Sequence, residues 1–313
     1  MNHWIRTLVV AIACLLGSLP ARAELKVIAS IMPVHSIVSA VMGDMGQPEL
    51  LLSGRLSEHV ASFTPSQIAQ LGKADLVFMV GGGLEFKLGQ LNGSEAVNGK
   101  HFVQLSSAPG IKVLPIREGG SWEPDEDEPQ PTAAAGQDGA VLTFDPHVWL
   151  DPDNAKAMAD AVAAELSKTD PANGAAYAAN AQAFAAAVDE TSRQIAAELA
   201  GVKHKPFIVF HDAYHYFEAR FGLHAAGSIS DVSAVSPSAG RLMEIHDKVT
   251  ATGAACVFRE PQFNDKYVRT VIEGTPAKSG VLDGLGADLA EGPDAYPQIL
   301  RNLAASLKSC LGE

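Results

Sequence analysis

The sequence predicts two Rossmann-like α/β lobes with parallel sheets, joined by a long spanning α-helix, with a metal site in the inter-lobe cleft. Three observations carry that prediction. In both halves of the 313-residue chain, short runs of branched apolar residues alternate with stretches of helical spacing, the pattern of a parallel sheet covered on both faces. Between the halves lies an alanine-rich segment, residues 175–200, which would reach about 40 Å as one helix. Three histidines, His59, His147 and His211, each stand where an apolar run gives way to a turn.

The chain opens with export features. Arg6 supplies a positive start, residues 8–19 an apolar stretch, and Ala21-Arg22-Ala23 the small-x-small form of a cleavage site. That stretch is too short to span a bilayer, and no later segment approaches the ~20 apolar residues a span needs. Residues 1–23 therefore read as a signal peptide, with a secreted mature chain beginning near Glu24. Ala11-Ile12-Ala13-Cys14 loosely resembles a lipidation box, the lipoprotein alternative, but the apolar run before it is short.

Residues 24–152 form the expected N-terminal lobe. Residues 25–31 read as a strand, and 34–42 have helical spacing that stops at Gly43. A short strand is expected at 50–52. Pro65-Ser66-Gln67-Ile68-Ala69-Gln70-Leu71 fits a helix with a proline start. Residues 76–80 are a buried-strand run ending in Gly81-Gly82-Gly83, and 102–105 continue the alternation. Residues 117–140 interrupt it. From Arg117 to Pro129 they are acidic, proline-containing and almost without apolar side chains, so burial cannot offset the entropy of ordering them and a flexible acidic loop is expected.

Residues 153–201 form a helical region. Asp153-Asn154 can cap a first helix to about residue 168, Asp170-Pro171 and Asn173-Gly174 interrupt it, and the linking helix of 175–200 stops at Gly201. Residues 202–313 then repeat the α/β alternation as a C-terminal lobe. Strands are expected at 206–210, 256–258 and 281–282, with helices at 213–221, 241–250, 266–274 and 296–311.

Loss of Arg6 and Arg22 with the signal peptide lowers the 23 basic residues to 21 against 36 acidic ones, a net charge of −15. Such a surface repels nucleic acid, and no basic patch interleaved with aromatics offsets it. Two cysteines remain, Cys256 and Cys310. In an oxidising compartment an even pair reads as one disulfide, with two buried thiols as the alternative.

In open α/β sheets, ligands bind beyond the carboxyl ends of strands. His211 follows the strand at 206–210, and Asp283 follows Val281-Leu282 in the same way. His147 and the pair Glu58-His59 lie in loops that could be aimed at the same crevice. Three neutral imidazoles completed by a carboxylate or water form a zinc-type ligand set.

Four blocks, in order along the mature chain, carry a family resemblance. They are Gly54-x-x-x-Glu58-His59-x-x-x-x-x-Pro65-Ser66, Asp145-Pro146-His147-Val148-Trp149-Leu150-Asp151-Pro152, Phe210-His211-Asp212-Ala213-Tyr214 and Glu260-Pro261-Gln262-Phe263. The chain resembles the ZnuA-type zinc-binding proteins of ABC importers, in the cluster A-I solute-binding family. The resemblance implies a monomeric, non-enzymatic periplasmic protein. Such a protein captures Zn2+ with high affinity and delivers it to an inner-membrane permease driven by a cytoplasmic ATPase. A periplasmic metallochaperone is a further expected partner. By position, His59, His147 and His211 match the metal-binding histidines. Manganese-binding relatives usually place a carboxylate where His211 stands, so an imidazole there favours zinc. For the fourth ligand a carboxylate is favoured over water: Asp283 matches the family's C-terminal aspartate, and Glu58 adjoins His59. Cys256 and Cys310 match a cysteine pair of the zinc branch. One departure is that residues 117–140 hold no histidine, where many members carry a histidine-rich stretch, so strong auxiliary zinc binding by this loop is not expected.

The remaining polar groups have blander readings beside functional ones. His215, four residues after His211, shares a helix face with it and is either a second ligand or a donor to one. His35 lies on an early helix near the cleft. His101, His204, His224 and His246 read as ordinary polar residues, and Trp149 and Tyr214 as packing of the cleft walls. Asp145 and Asp212 either orient imidazoles or act as a turn residue and a helix cap. The competing functions are a manganese or other divalent-metal importer component, a periplasmic zinc-dependent hydrolase and a metal-binding adhesin. The hydrolase lacks a His-Glu-x-x-His helix and a Gly-x-Ser-x-Gly elbow.

Overall fold

The buried apolar runs become the central strands. In the computed structural model, which describes residues 25–59, 62–81, 83–92, 94–117, 122, 134–136 and 139–312, the first sheet contains β1 (Val27–Ala29), β2 (Glu49–Leu50), β3 (Leu76–Met79) and β4 (His101–Gln104). Their order is β2-β1-β3-β4, all parallel. β1 and β3 are buried along their whole length, as strands covered on both faces must be. The helices of this lobe are α1 (Met32–Met42), α2 (Pro65–Leu71) and α3 (Phe86–Leu91). α2 starts as its proline requires, with Thr64 and Gln67 closing a capping box around the first turn.

The signal peptide and the lipidation alternative at Cys14 fall outside the described residues, as does most of the acidic loop. Two described pieces of that region, β5 (Ala134–Ala135) and β6 (Val141–Leu142), pair as a short antiparallel hairpin that the sequence reading does not contain.

The helical region is α4 (Pro152–Thr169) and α5 (Gly174–Leu199). Asp151 rather than Asp153 caps α4, accepting from the Asp153 N–H. α5 buries Tyr177, Ala181, Phe184, Val188, Thr191, Ile195 and Leu199, a stripe at three- and four-residue spacing that gives a straight apolar seam.

The second sheet contains β7 (Phe207–His211), β8 (Gly227–Ser230), β9 (Cys256–Arg259) and β10 (Lys278–Val281), ordered β10-β9-β7-β8 and again all parallel. β8 is absent from the sequence reading because Gly227-Ser228-Ile229-Ser230 holds a single branched residue. α6 (His215–Phe221), α7 (Ala239–Thr252), α8 (Lys266–Ile272) and α9 (Ala295–Leu311) complete the lobe.

α5 packs on α4, on α1 of the first lobe and on α9 of the second. One hydrophobic cluster consequently runs from β1 and β3 through α4, α5 and α9 to Phe207, Val209 and Phe258 of the second sheet. α1 and α9 also meet directly, where Ser36 Oγ donates to the Pro293 carbonyl (3.0 Å) and accepts from the Tyr296 N–H (2.8 Å). Swinging the lobes apart would expose this shared core, so its burial opposes a hinge motion. Cys256 and Cys310 form one disulfide, with Cα atoms 6.2 Å apart, that ties β9 to α9. No described helix is long and apolar enough to cross a membrane.

Candidate metal centre

The parallel sheets direct strand ends and the following loops at the cleft, and the candidate side chains arrive there by three routes. His211 is the last residue of β7, a strand buried at all five positions. His147 precedes a single 3-10 turn (Val148–Leu150) that leads into α4. Glu58 and His59 are carried by the loop after β2. Glu58, His59, His147 and His211 are all buried, and each offers a ligand atom within 4.8 Å of the others.

The three imidazoles converge through their Nε2 atoms. His59 Nε2 lies 3.2 Å from His147 Nε2, which lies 3.3 Å from His211 Nε2. Nitrogens bound at 2.0–2.1 Å to one tetrahedral ion stand about 3.3 Å apart. Glu58 Oε1 is 3.9 Å from His59 Nε2 and 3.8 Å from His147 Nε2.

Two rings are held from behind. His147 Nδ1 is 2.8 Å from Asp145 Oδ1, which also accepts the His147 N–H at 3.0 Å. His211 Nδ1 is 2.8 Å from Glu260 Oε1, which takes the His211 N–H at 3.2 Å. With Nδ1–H donated to a carboxylate, Nε2 becomes the coordinating atom. Aromatic rings fix the remaining faces: Trp149 lies 5.3 Å from His147, centroid to centroid, and Phe263 lies 5.4 Å from His211.

Electrostatics complete the description. Burial, followed by neighbouring imidazoles, holds His59 and His147 well below the ordinary histidine range, so they are neutral at pH 7. Burial would lower His211 as well, but the facing Glu260, with Glu58 and Asp212 behind, pushes it up to about 9. Burial raises Glu58 to about 7 and Asp145 to about 6. Metal-free, the centre therefore keeps a proton on His211 Nε2, which points at His147 Nε2. The surroundings favour one positive charge at the point where the imidazoles meet.

Asp283 stands outside this group. Its carboxylate accepts from the N–H groups of Leu285 (3.1 Å), Gly286 (2.9 Å) and Ala287 (2.6 Å) and from Gln262 Nε2 (3.2 Å). His35 is also elsewhere, with Nε2 3.1 Å from the Pro48 carbonyl. His215 sits behind the centre, Nδ1 3.9 Å from Asp145 Oδ2. Asp212 accepts from Arg117 rather than from an imidazole.

Two residues take roles here that local sequence does not show. Glu260 was legible only as part of its block, because its contact with His211 spans 49 positions. Arg117 opens the acidic stretch in the sequence, yet its guanidinium bridges Asp212 and Glu218, with Nη1 and Nη2 each 3.0 Å from a Glu218 oxygen.

Two parallel-sheet lobes on a shared helical spine, with a buried nitrogen-rich centre in the cleft, define a metal-binding type of solute-binding protein. The chain belongs to the ZnuA family: the family model described as "Zinc-uptake complex component A periplasmic" matches residues 27–310. The chain is 44% identical over 317 residues to the high-affinity zinc uptake system protein ZnuA of Brucella suis, covering 95% of each chain. It is 34% identical to the protein of that name from Paracoccus denitrificans, covering 98% of each. Among solved structures, a zinc-bound ZnuA deletion mutant superimposes with a TM-score of 0.74 at 26% identity, over 92% of this chain and 98% of that one. The manganese-bound solute-binding protein FpvC of Pseudomonas aeruginosa, at TM-score 0.76 and 23% identity over 92% and 98%, shares the fold.

Proposed function

We propose that this chain is the periplasmic zinc-binding component of an ABC importer, and that Glu58, His59, His147 and His211 are its cargo ligands. The observation carrying the ligand assignment is the convergence of three Nε2 atoms at 3.2–3.3 Å beside a buried carboxylate. Zn2+ entering the cleft displaces the proton of His211 Nε2 to solvent and exchanges its own waters for the three imidazoles and the Glu58 carboxylate. An imidazole-rich set suits zinc better than the harder manganese ion. Glu58 is favoured over Asp283 as the fourth ligand because the Asp283 oxygens are engaged by three backbone N–H groups.

Delivery follows to an inner-membrane permease powered by a cytoplasmic ATPase, from a monomer released by cleavage after Ala23. The domain reading stands as proposed for the mature chain: lobes at 24–152 and 202–313 with a helical region at 153–201. Catalysis is not part of this reading, since a centre closed by four protein ligands leaves no open position for substrate. Titration of the metal-free mature protein with Zn2+ and Mn2+ tests it, together with growth of a strain lacking the gene under zinc limitation. Tight 1:1 zinc binding with zinc-specific growth rescue is expected. Preference for manganese, or rescue under manganese limitation alone, overturns it.

A further inference from the structure

Arg117 also lines a separate cavity of about 590 Å³, which none of the four proposed ligands borders. Its volume falls in the range of small-molecule sites. Its charge is the inverse of the chain's. The whole sequence carries 36 acidic against 23 basic residues, yet Arg117, Lys203, Lys205 and Lys248 line this cavity with Glu218 as the one carboxylate. Glu218 is committed to Arg117, its oxygens accepting from Nη1 and Nη2 of that guanidinium and from the Ala225 N–H (2.8 Å), and Asp212 pairs with the same guanidinium, so the positive charge open to a ligand here is that of Lys203 and Lys205. Lys203 and Lys205 form no ion pair among the described residues. His204 and His224 border the same space and add N–H donors. The Trp122 ring lies 3.7 Å from the Arg117 guanidinium carbon and gives one wall a flat apolar face.

The Lys203 and Lys205 ammonium groups beside a concave space, with Glu218 committed to Arg117, create a positive potential that an anion relieves. We propose that this cavity binds a small, multiply charged oxyanion, with Lys203 and Lys205 as its principal contacts. Lysines act as point charges that serve carboxylate and phosphate alike, so the two sources of that chemistry are separated by experiment.

Signal-sequence-cleaved protein, metal-free and zinc-loaded, is titrated at low salt with tricarballylate and, separately, with inorganic phosphate. Trp122 fluorescence and calorimetry provide the readouts. Saturable 1:1 binding of at least one anion is expected, and the stronger of the two identifies the oxyanion class. The Lys203→Glu/Lys205→Glu variant should weaken binding about tenfold or more, since it replaces two attractions with two repulsions, while its zinc titration stays unchanged. Trp122→Phe should remove the fluorescence change and keep the calorimetric signal. If the double variant does not fold, as judged by its zinc titration, Lys205→Gln carries the same comparison with an expected weakening of about threefold. No saturable binding of either anion up to about 10 mM, weaker than specific sites of this size display, overturns the proposal. Equal affinity in the lysine variants overturns it as well.

Discussion

The two sides of the metal centre are built differently. His147 and His211 belong to the rigid body of the protein. One abuts the 3-10 turn that starts α4, the other ends a fully buried strand, and each has a carboxylate 2.8 Å behind its ring. Glu58 and His59 ride on a loop, and among the described residues no carboxylate hydrogen-bonds to the His59 ring. That loop is held instead by the opposite lobe. Gln262 Nε2 donates to the Gly54 carbonyl (2.5 Å), Arg55 pairs with Asp288, and a Cβ on Gly54 would lie 2.9 Å from the Leu285 carbonyl oxygen. The turn at 283–287, which supplies the Leu285 carbonyl and whose Asp283 also accepts from Gln262, is shaped by the Asp283 carboxylate. The difference teaches that one side of the proposed centre is preorganised by carboxylates behind its rings, and the other is a loop strap tethered by contacts across the cleft.

The largest effect should come from the rigid side. With structural zinc sites worth about 10–16 kcal/mol over four ligands, one lost imidazole costs roughly 3 kcal/mol, or about a hundredfold or more in affinity. His147→Ala and His211→Ala should each show that loss in competition titrations with unchanged circular dichroism. Retained affinity in either removes that residue from the ligand set.

Next come the groups behind those rings. Asp145→Asn and Glu260→Gln should weaken zinc binding about 10- to 100-fold. An effect of Glu260→Gln confined to thermal stability would show that rigidity on the C-terminal side serves folding alone.

The pH dependence sharpens the comparison further. Protons and zinc compete for the same atoms, so affinity must fall as pH falls. With His211 at about 9, one proton leaves for each ion bound between pH 7 and 9, a change of about tenfold per pH unit. Below about 7 Glu58 adds a second proton and the slope steepens. Calorimetry in buffers of different ionisation enthalpy should count those protons. Glu260→Gln should lower the count near pH 8, because it removes the charge that keeps His211 protonated.

The strap side is expected to give the smallest equilibrium effects. Glu58→Gln should cost about tenfold, since the amide keeps a neutral oxygen donor in place. Asp283→Asn should change affinity by no more than about threefold while accelerating zinc loss to a chelator, because it loosens the turn that holds the strap. An Asp283→Asn loss as large as that of His211→Ala would make Asp283 a ligand and reverse the assignment with Glu58.

Most of the fold was legible because its signals are local. The proline at the start of α2, the apolar run of β3 and the alanine-rich length of α5 each lie within one segment, and the helix at 65–71 matches its reading residue for residue. β8 and the β5–β6 hairpin were not legible. β8 takes its place by pairing with β7 and carries little apolar pattern of its own. His211 was legible by position, since it ends a parallel strand and ligands bind beyond the carboxyl ends of such strands, whereas His59 and His147 lie in loops and their reading as ligands rested on the family resemblance.

By itself, then, the sequence determined the alternating strands and helices of the two lobes and the linking helix, because residue type and short-range spacing decide these, and it supplied the cysteines and imidazoles whose pairing and convergence rest on separations of 54 to 88 positions. Only the tertiary structure decided the partners. Glu260 stands behind His211 across 49 positions, Arg117 bridges Asp212 and Glu218, and the Asp283 carboxylate is turned onto backbone N–H groups while Glu58 faces the imidazoles. Those choices depend on where a buried charge finds its counter-charge or its hydrogen bonds. In a folded chain those counterparts come from whichever segment packing brings within about 3 Å, a distance that sequence spacing does not encode.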